Sequence, residues 1–144
     1  MELAYKNIIV AIDGSDASEK AFNKALKVTK INQARLILAH VVDSRTFATA
    51  EAYDRTLAER ADEYAKDLLD RYVEKAKANG VTDLIRYIEY GSPKVKIAKD
   101  IAKKFEADLI ICGATGMNAV ERFLIGSVSE SITRHAKCDV LVIR

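Results

Sequence analysis

A chain of 144 residues points to one domain, residues 1–144, able to bury roughly 70% of its unfolded surface and so to fold without disulfides. Hydrophobic residues make up 49% and charged residues 31%, which excludes a disordered chain. Lys+Arg 23 against Asp+Glu 21 leaves a net +2 with the two signs interspersed, which argues against a nucleic-acid partner.

The opening stretch MELAYKNIIVAIDGS lacks a basic segment followed by a long apolar run, so a signal peptide is not expected. Residues 7–12 (NIIVAI) predict the first strand. The next helix is predicted over 17–29, opened by a capping box of Asp16 and Glu19, with Ala21, Ala25 and Val28 on one face and Phe22 and Leu26 beside it. Residues 35–42 (RLILAHVV) read as the second strand, and His40 as a strand residue with a satisfied ring. The stretch 43–50 (DSRTFATA) reads as a flexible loop. A second helix is predicted over about 49–78. Its stripe of Tyr53, Leu57, Ala61, Tyr64, Leu68 and Tyr72 has helical spacing, and Asn79-Gly80 ends it.

Residues 84–90 (LIRYIEY) form the third strand, placed at a sheet edge because it carries Arg86 and Glu89. Ser92 and Pro93, the single proline, open a third helix as N-cap and first position. Residues 108–112 (DLIIC) and 140–143 (VLVI) are the fourth and fifth strands, and Gly126-Ser127 opens a fourth helix running to about Ala136. Strands 1, 2, 4 and 5 are nearly continuous Val/Ile/Leu runs, as parallel strands covered on both faces are. The alternation predicts an α/β fold, a doubly wound parallel sheet with helices on both faces. No apolar run approaches the roughly 20 residues of a membrane span. Cys112 and Cys138 lie in apolar runs and read as buried free thiols in a reducing compartment. A soluble, cytoplasmic protein with no membrane partner is expected.

In such a sheet, ligands bind beyond the carboxyl ends of the strands. Asp13-Gly14-Ser15 follows the first strand, Asp43-Ser44 the second, and Gly113-Ala114-Thr115-Gly116 the fourth. Three of the six glycines fall between 113 and 126. Gly113 and Gly116 frame a tight turn, where glycine allows positive φ and close backbone approach. Gly126 then precedes Ser127-Val128-Ser129 at a helix start, whose free N–H groups suit phosphate. The ordinary alternative is a pair of turn glycines and a serine N-cap. The P-loop and the dinucleotide fingerprint are both absent. His40 and His135 have no acid or cysteine arranged around them for a metal, and no serine elbow or Cys–His arrangement is evident.

Gly113-x2-Gly116-x9-Gly126-Ser127 resembles the ATP-binding signature of the universal stress protein family. The opening NIIVAIDGSDAS and the closing CDVLVIR are similar to that family's first and last strands, so the resemblance covers the whole chain. It implies a Rossmann-like sheet of the adenine nucleotide alpha hydrolase type in the order 3-2-1-4-5. It also implies bound ATP, with magnesium or manganese held through the phosphates and no protein metal site. Asp13 is then expected to meet the ribose or a phosphate-bound metal, and Ala11, Ile12 and Val41 to surround adenine. Cys112 lies beside the nucleoside, while Gly113, Gly116, Gly126, Ser127, Val128 and Ser129 hold ribose and phosphates. A β-carbon at Gly113 or Gly126 is expected to displace the ligand and leave the fold intact.

The leading functional expectation is a regulator whose ATP occupancy changes its shape or partners under stress. The alternative is a slow ATPase or phosphotransferase. Arg122 can reach phosphate in that reading, but the motif supplies no obvious base. A scaffold with a vestigial pocket is opposed by the intact glycines; a receiver-like domain would need an acidic cluster after strand 1 and an aspartate ending the middle strand, and DGSD followed by Tyr90-Gly91 does not provide both. At a sheet edge, strand 5 has no charge until Arg144, and soluble proteins usually protect such edges. A homodimer through 140–143 is expected, as the resemblance also implies.

Overall fold

The computed structural model describes residues 4–43, 55–116 and 125–144. Five parallel strands lie in the order β3-β2-β1-β4-β5, as expected. They are β1 (Asn7–Ala11), β2 (Arg35–Val42), β3 (Leu84–Tyr90), β4 (Leu109–Gly113) and β5 (Asp139–Ile143). The helices are α1 (Asp16–Asn32), α2 (Arg55–Ala78) and α4 (Ser127–His135). Between β3 and β4 lies a composite segment, α3. It starts as an α turn at Pro93–Val95, continues as π-helix over Lys96–Ile101 and closes as an α turn at Ala102–Lys104.

The sheet separates two apolar layers. Ile8, Val10, Ile12, Leu36, Leu38 and Ile111 face α1 and α2, where Phe22, Leu69 and Ala76 meet them. Ile9, Ile37, Ala39, Val41, Ile110 and Cys112 face Ile97 and Ile101 of α3 and Ile132 of α4. Because both faces are covered, β1, β2 and β4 are apolar along most of their length. Each edge is different. On β3, Arg86 pairs with Asp70 at 2.7 Å, and Tyr87 donates its hydroxyl to Glu89 at 3.0 Å. On β5, Val140 to Ile143 are half-buried apolar residues.

Several local expectations change. The N-cap of α1 is Ser15, not Asp16: its hydroxyl oxygen accepts from Ser18 N–H at 3.1 Å, and Asp16 is the first helical residue. Ser92 occupies the N-cap position before Pro93, but its side chain makes no capping bond. Of the α2 stripe, Leu68 and Tyr72 are buried, beside Ala65, Leu69 and Ala76, whereas Leu57 and Tyr64 are each 47% exposed. The 24 residues of α2 span about 36 Å against about 26 Å for β2, so its first turns overhang the sheet. Tyr53, the 43–50 loop beyond Asp43, the predicted start of this helix and Arg122 lie outside the described residues. Cys112 is buried as expected, while Cys138 is only half-buried.

Candidate functional site

The register makes a notch. β1 pairs with β2 only as far as Ala11↔Ala39 and with β4 only as far as Val10↔Ile111. β2 runs on to Val42 and β4 to Gly113, so both neighbours rise past the end of β1. This is the point where strand order reverses.

Strand parity decides what faces the notch. Ala11, Val41, Cys112 and Val128 share the face covered by α3 and α4. Burial pushes the Cys112 thiol up from 9.0 to about 11, a shift the hydroxyl of Ser129 partly offsets, so this wall is neutral at pH 7. Ile12 lies on the opposite face, among the α1 and α2 contacts. Its side chain therefore points away from the notch, whereas the expectation for Ile12, Ala11 and Val41 together covered apolar wall and backbone groups alike. Period-2 alternation, the signal that separates faces, is lost in an all-apolar run such as IIVAI, residues 8–12.

Val41 contributes its backbone as well. Ile12 N–H donates to Ala39 O at 2.8 Å, so the polar groups of Ala39 point toward β1. Those of Val41, two residues on, point the same way. They extend past the last paired residue of β1, and among the described residues no backbone bond joins them to that strand. One donor and one acceptor therefore face the notch side by side.

Asp13 stands at the β1 exit. Its Oδ1 accepts from Ser15 N–H at 2.8 Å and from Ser15 Oγ at 2.5 Å. Its own N–H donates to Ser18 Oγ at 3.3 Å. With Oδ1 held, Oδ2 lies toward Gly116, 3.5 Å from where a β-carbon there would stand. Gly14 between them has φ +86, and a β-carbon would strike the Tyr64 hydroxyl. Ser15, Ser18 and Tyr64 were not singled out for the site, and no motif spacing marks them.

The glycine turn is built differently from the expectation. Among the described residues the positive-φ glycines are Gly14, Gly80 and Gly91, so Gly113, Gly116 and Gly126 are not glycines for reasons of φ. A β-carbon on Gly113 would come 2.7 Å from the Ala17 backbone. Its absence lets the first turn of α1 lie against β4, a packing role. Gly126 donates its N–H to Ala114 O at 2.6 Å, and a β-carbon there would meet that oxygen at 3.3 Å. Gly116 alone of the three is exposed toward Asp13.

At α4, the first intrahelical bond runs from Glu130 N–H to Gly126 O at 3.0 Å. The N–H groups of Ser127, Val128 and Ser129 precede that ladder and have no intrahelical acceptor. The Ser127 hydroxyl is exposed. The Ser129 hydroxyl is buried and donates to Gly113 O at 2.5 Å, tying α4 to β4. That leaves only its backbone N–H free to meet a ligand. Among the described residues, no group of three or more His, Cys, Asp or Glu is arranged to hold a metal ion, and no helix is long and apolar enough to cross a membrane.

The notch thus combines an apolar wall, a main-chain donor and acceptor, a carboxylate and a helix N-terminus. These groups fit the base, ribose and phosphates of a nucleotide. The profile described as the Universal stress protein family matches residues 4–144. A Staphylococcus aureus (strain USA300) protein named within that family is 51% identical over 142 residues, 99% of this chain and 86% of its own length. The universal stress protein UspA from Lactobacillus plantarum superposes with TM-score 0.85 at 36% identity, covering 97% of this chain and 98% of that one. A universal stress protein in complex with cAMP superposes with TM-score 0.76 at 27% identity, covering 98% of both chains. By sequence along its whole sheet and by the shape of that sheet, this chain belongs to the universal stress protein family.

Proposed function

We propose that the chain is an adenine-nucleotide-binding regulator, with ATP as its ligand. The observation that carries the reading is the notch past β1, where the Val41 N–H and carbonyl adjoin the Ala11, Cys112 and Val128 wall. Adenine presents an acceptor at N1 beside a donor at N6, complementary to that pair. The ribose would lie near Asp13 Oδ2, and the phosphates near Gly116 and the N–H groups of Ser127, Val128 and Ser129. A relative of similar fold holding cAMP supports the adenine class. Magnesium or manganese would be carried by phosphate oxygens. Occupancy would change conformation or partners, not drive rapid chemistry.

The same proposal includes a homodimer through β5. Ile143 O accepts from Ala114 N–H on the β4 side, so by parity the polar groups of Val140 and Val142 point outward. A twofold-related copy would pair with them in antiparallel fashion.

Mass spectrometry of the small molecule released from purified protein tests the ligand. ATP or a related adenine nucleotide is expected. A guanine nucleotide or a non-nucleotide ligand would overturn the reading. Turnover with magnesium should lie far below the roughly 1–100 s⁻¹ of kinases, and kinase-like rates abolished by Asp13→Asn would favour the enzyme instead.

A further inference from the structure

We infer that His40 is a positioning residue for this site: by capturing the Ile12 carbonyl it ends the β1–β2 ladder and leaves the Val41 N–H open for a base. The inference rests on the adenine-nucleotide reading above for its functional consequence, but its geometry stands independently.

In a parallel ladder the bonds repeat every second residue. Lys6 O accepts from Arg35 N–H at 2.8 Å, and Ile12 N–H donates to Ala39 O at 2.8 Å. Continuing the same pattern, Ile12 O would accept from Val41 N–H. It does not: pairing stops at Ala11↔Ala39, and the Ile12 carbonyl instead meets His40 Nδ1 at 2.6 Å. A carbonyl can only accept, so Nδ1 carries the proton in this contact.

Ile12 is 2% exposed. Without the ring its carbonyl would be a buried acceptor in need of a partner, and the nearest candidate by ladder geometry is Val41 N–H. The ring therefore substitutes for the strand. Its capture of the carbonyl has a second consequence, because Ile12 C=O belongs to the peptide that leads into Asp13. Fixing that peptide from β2 while Ser15 and Ser18 fix the residue from α1 leaves Oδ2 directed at Gly116. Tyr64 stands beside the ring, with centroids 6.4 Å apart, and covers Gly14. His40 faces the α1 and α2 side, so it acts without touching the ligand.

Three measurements test this. Long-range 1H–15N correlation on the nucleotide-free protein should show the Nδ1–H tautomer, and hydrogen exchange should find the Val41 amide weakly protected. In His40→Leu the Val41 amide should become protected as the ladder closes, and ATP affinity should fall at least tenfold. His40→Asn, whose Nδ2 can take the place of Nδ1, should restore most of that affinity, whereas a merely structural loss would not be repaired. An Nε2–H tautomer, or a folded His40→Leu protein with unchanged Val41 exchange and unchanged ATP affinity, overturns the inference. If the wild-type chain binds no adenine nucleotide, the functional reading fails, while the tautomer and the Val41 amide still decide the role of His40.

Discussion

Gly113 and Gly116 leave the same strand, yet their missing β-carbons serve different neighbours. Valine at Gly113 would drive atoms into the Ala17 backbone, and overpacking of this kind costs about 1–3 kcal/mol or more. Urea denaturation of Gly113→Val should therefore show a marked loss of stability, contrary to the expectation of a folded, non-binding variant. A glycine in a sequence does not reveal which backbone crosses it, so the signature was legible as a turn but not as a helix–strand contact. Cys112 offers a second test. Its thiol is raised from 9.0 to about 11 in the folded chain, so the protonated form favours folding. That contribution is complete below pH 9 and is lost as pH climbs toward 11, at up to about 1.4 kcal/mol per pH unit. Stability curves from pH 8 to 11 should fall less steeply for Cys112→Ala than for the wild type. Parallel slopes would contradict the assignment.

The five strands were readable as elements because each is a short apolar-rich run between helical patterns, nearly continuous Val/Ile/Leu in all but β3. Their faces were not readable, because apolar residues on both sides erase the alternation that sets parity. Ile12 was consequently grouped with Ala11 and Val41 around adenine, although its side chain packs on the opposite face, under α1 and α2. The α2 stripe was readable as helical spacing, but spacing does not say where the sheet beneath it stops. The β5 edge can be tested with a substitution chosen by parity. Val142 directs its N–H outward, so proline there removes a donor from the proposed interface and none from the β4–β5 ladder. Light scattering should show Val142→Pro as a monomer at concentrations where the wild type is a dimer, with little change in melting temperature. An unchanged dimer would place the interface elsewhere.

At the scale of the whole molecule, the doubly wound order creates the site. The chain winds outward from β1 in both directions, so the crossover loops part above it. β1 is shorter at that end than both neighbours. One carboxylate, one helix N-terminus and one open stretch of β2 converge there from distant parts of the sequence. The glycine signature marked the β4 and α4 side of this convergence. The β2 side was marked only by Val41, through family resemblance, because unpaired backbone has no sequence signature. The central claim is that this notch holds an adenine nucleotide. It is tested most directly by calorimetric titration of ATP into the wild type and into Gly116→Val, whose added side chain would stand beside Asp13 Oδ2 without meeting α1. Saturable binding near one ATP per chain is expected for the wild type, with affinity at least about tenfold weaker, roughly 1.4 kcal/mol, in a variant of unchanged melting temperature. No binding by the wild type, or equal affinity in the folded variant, would contradict it.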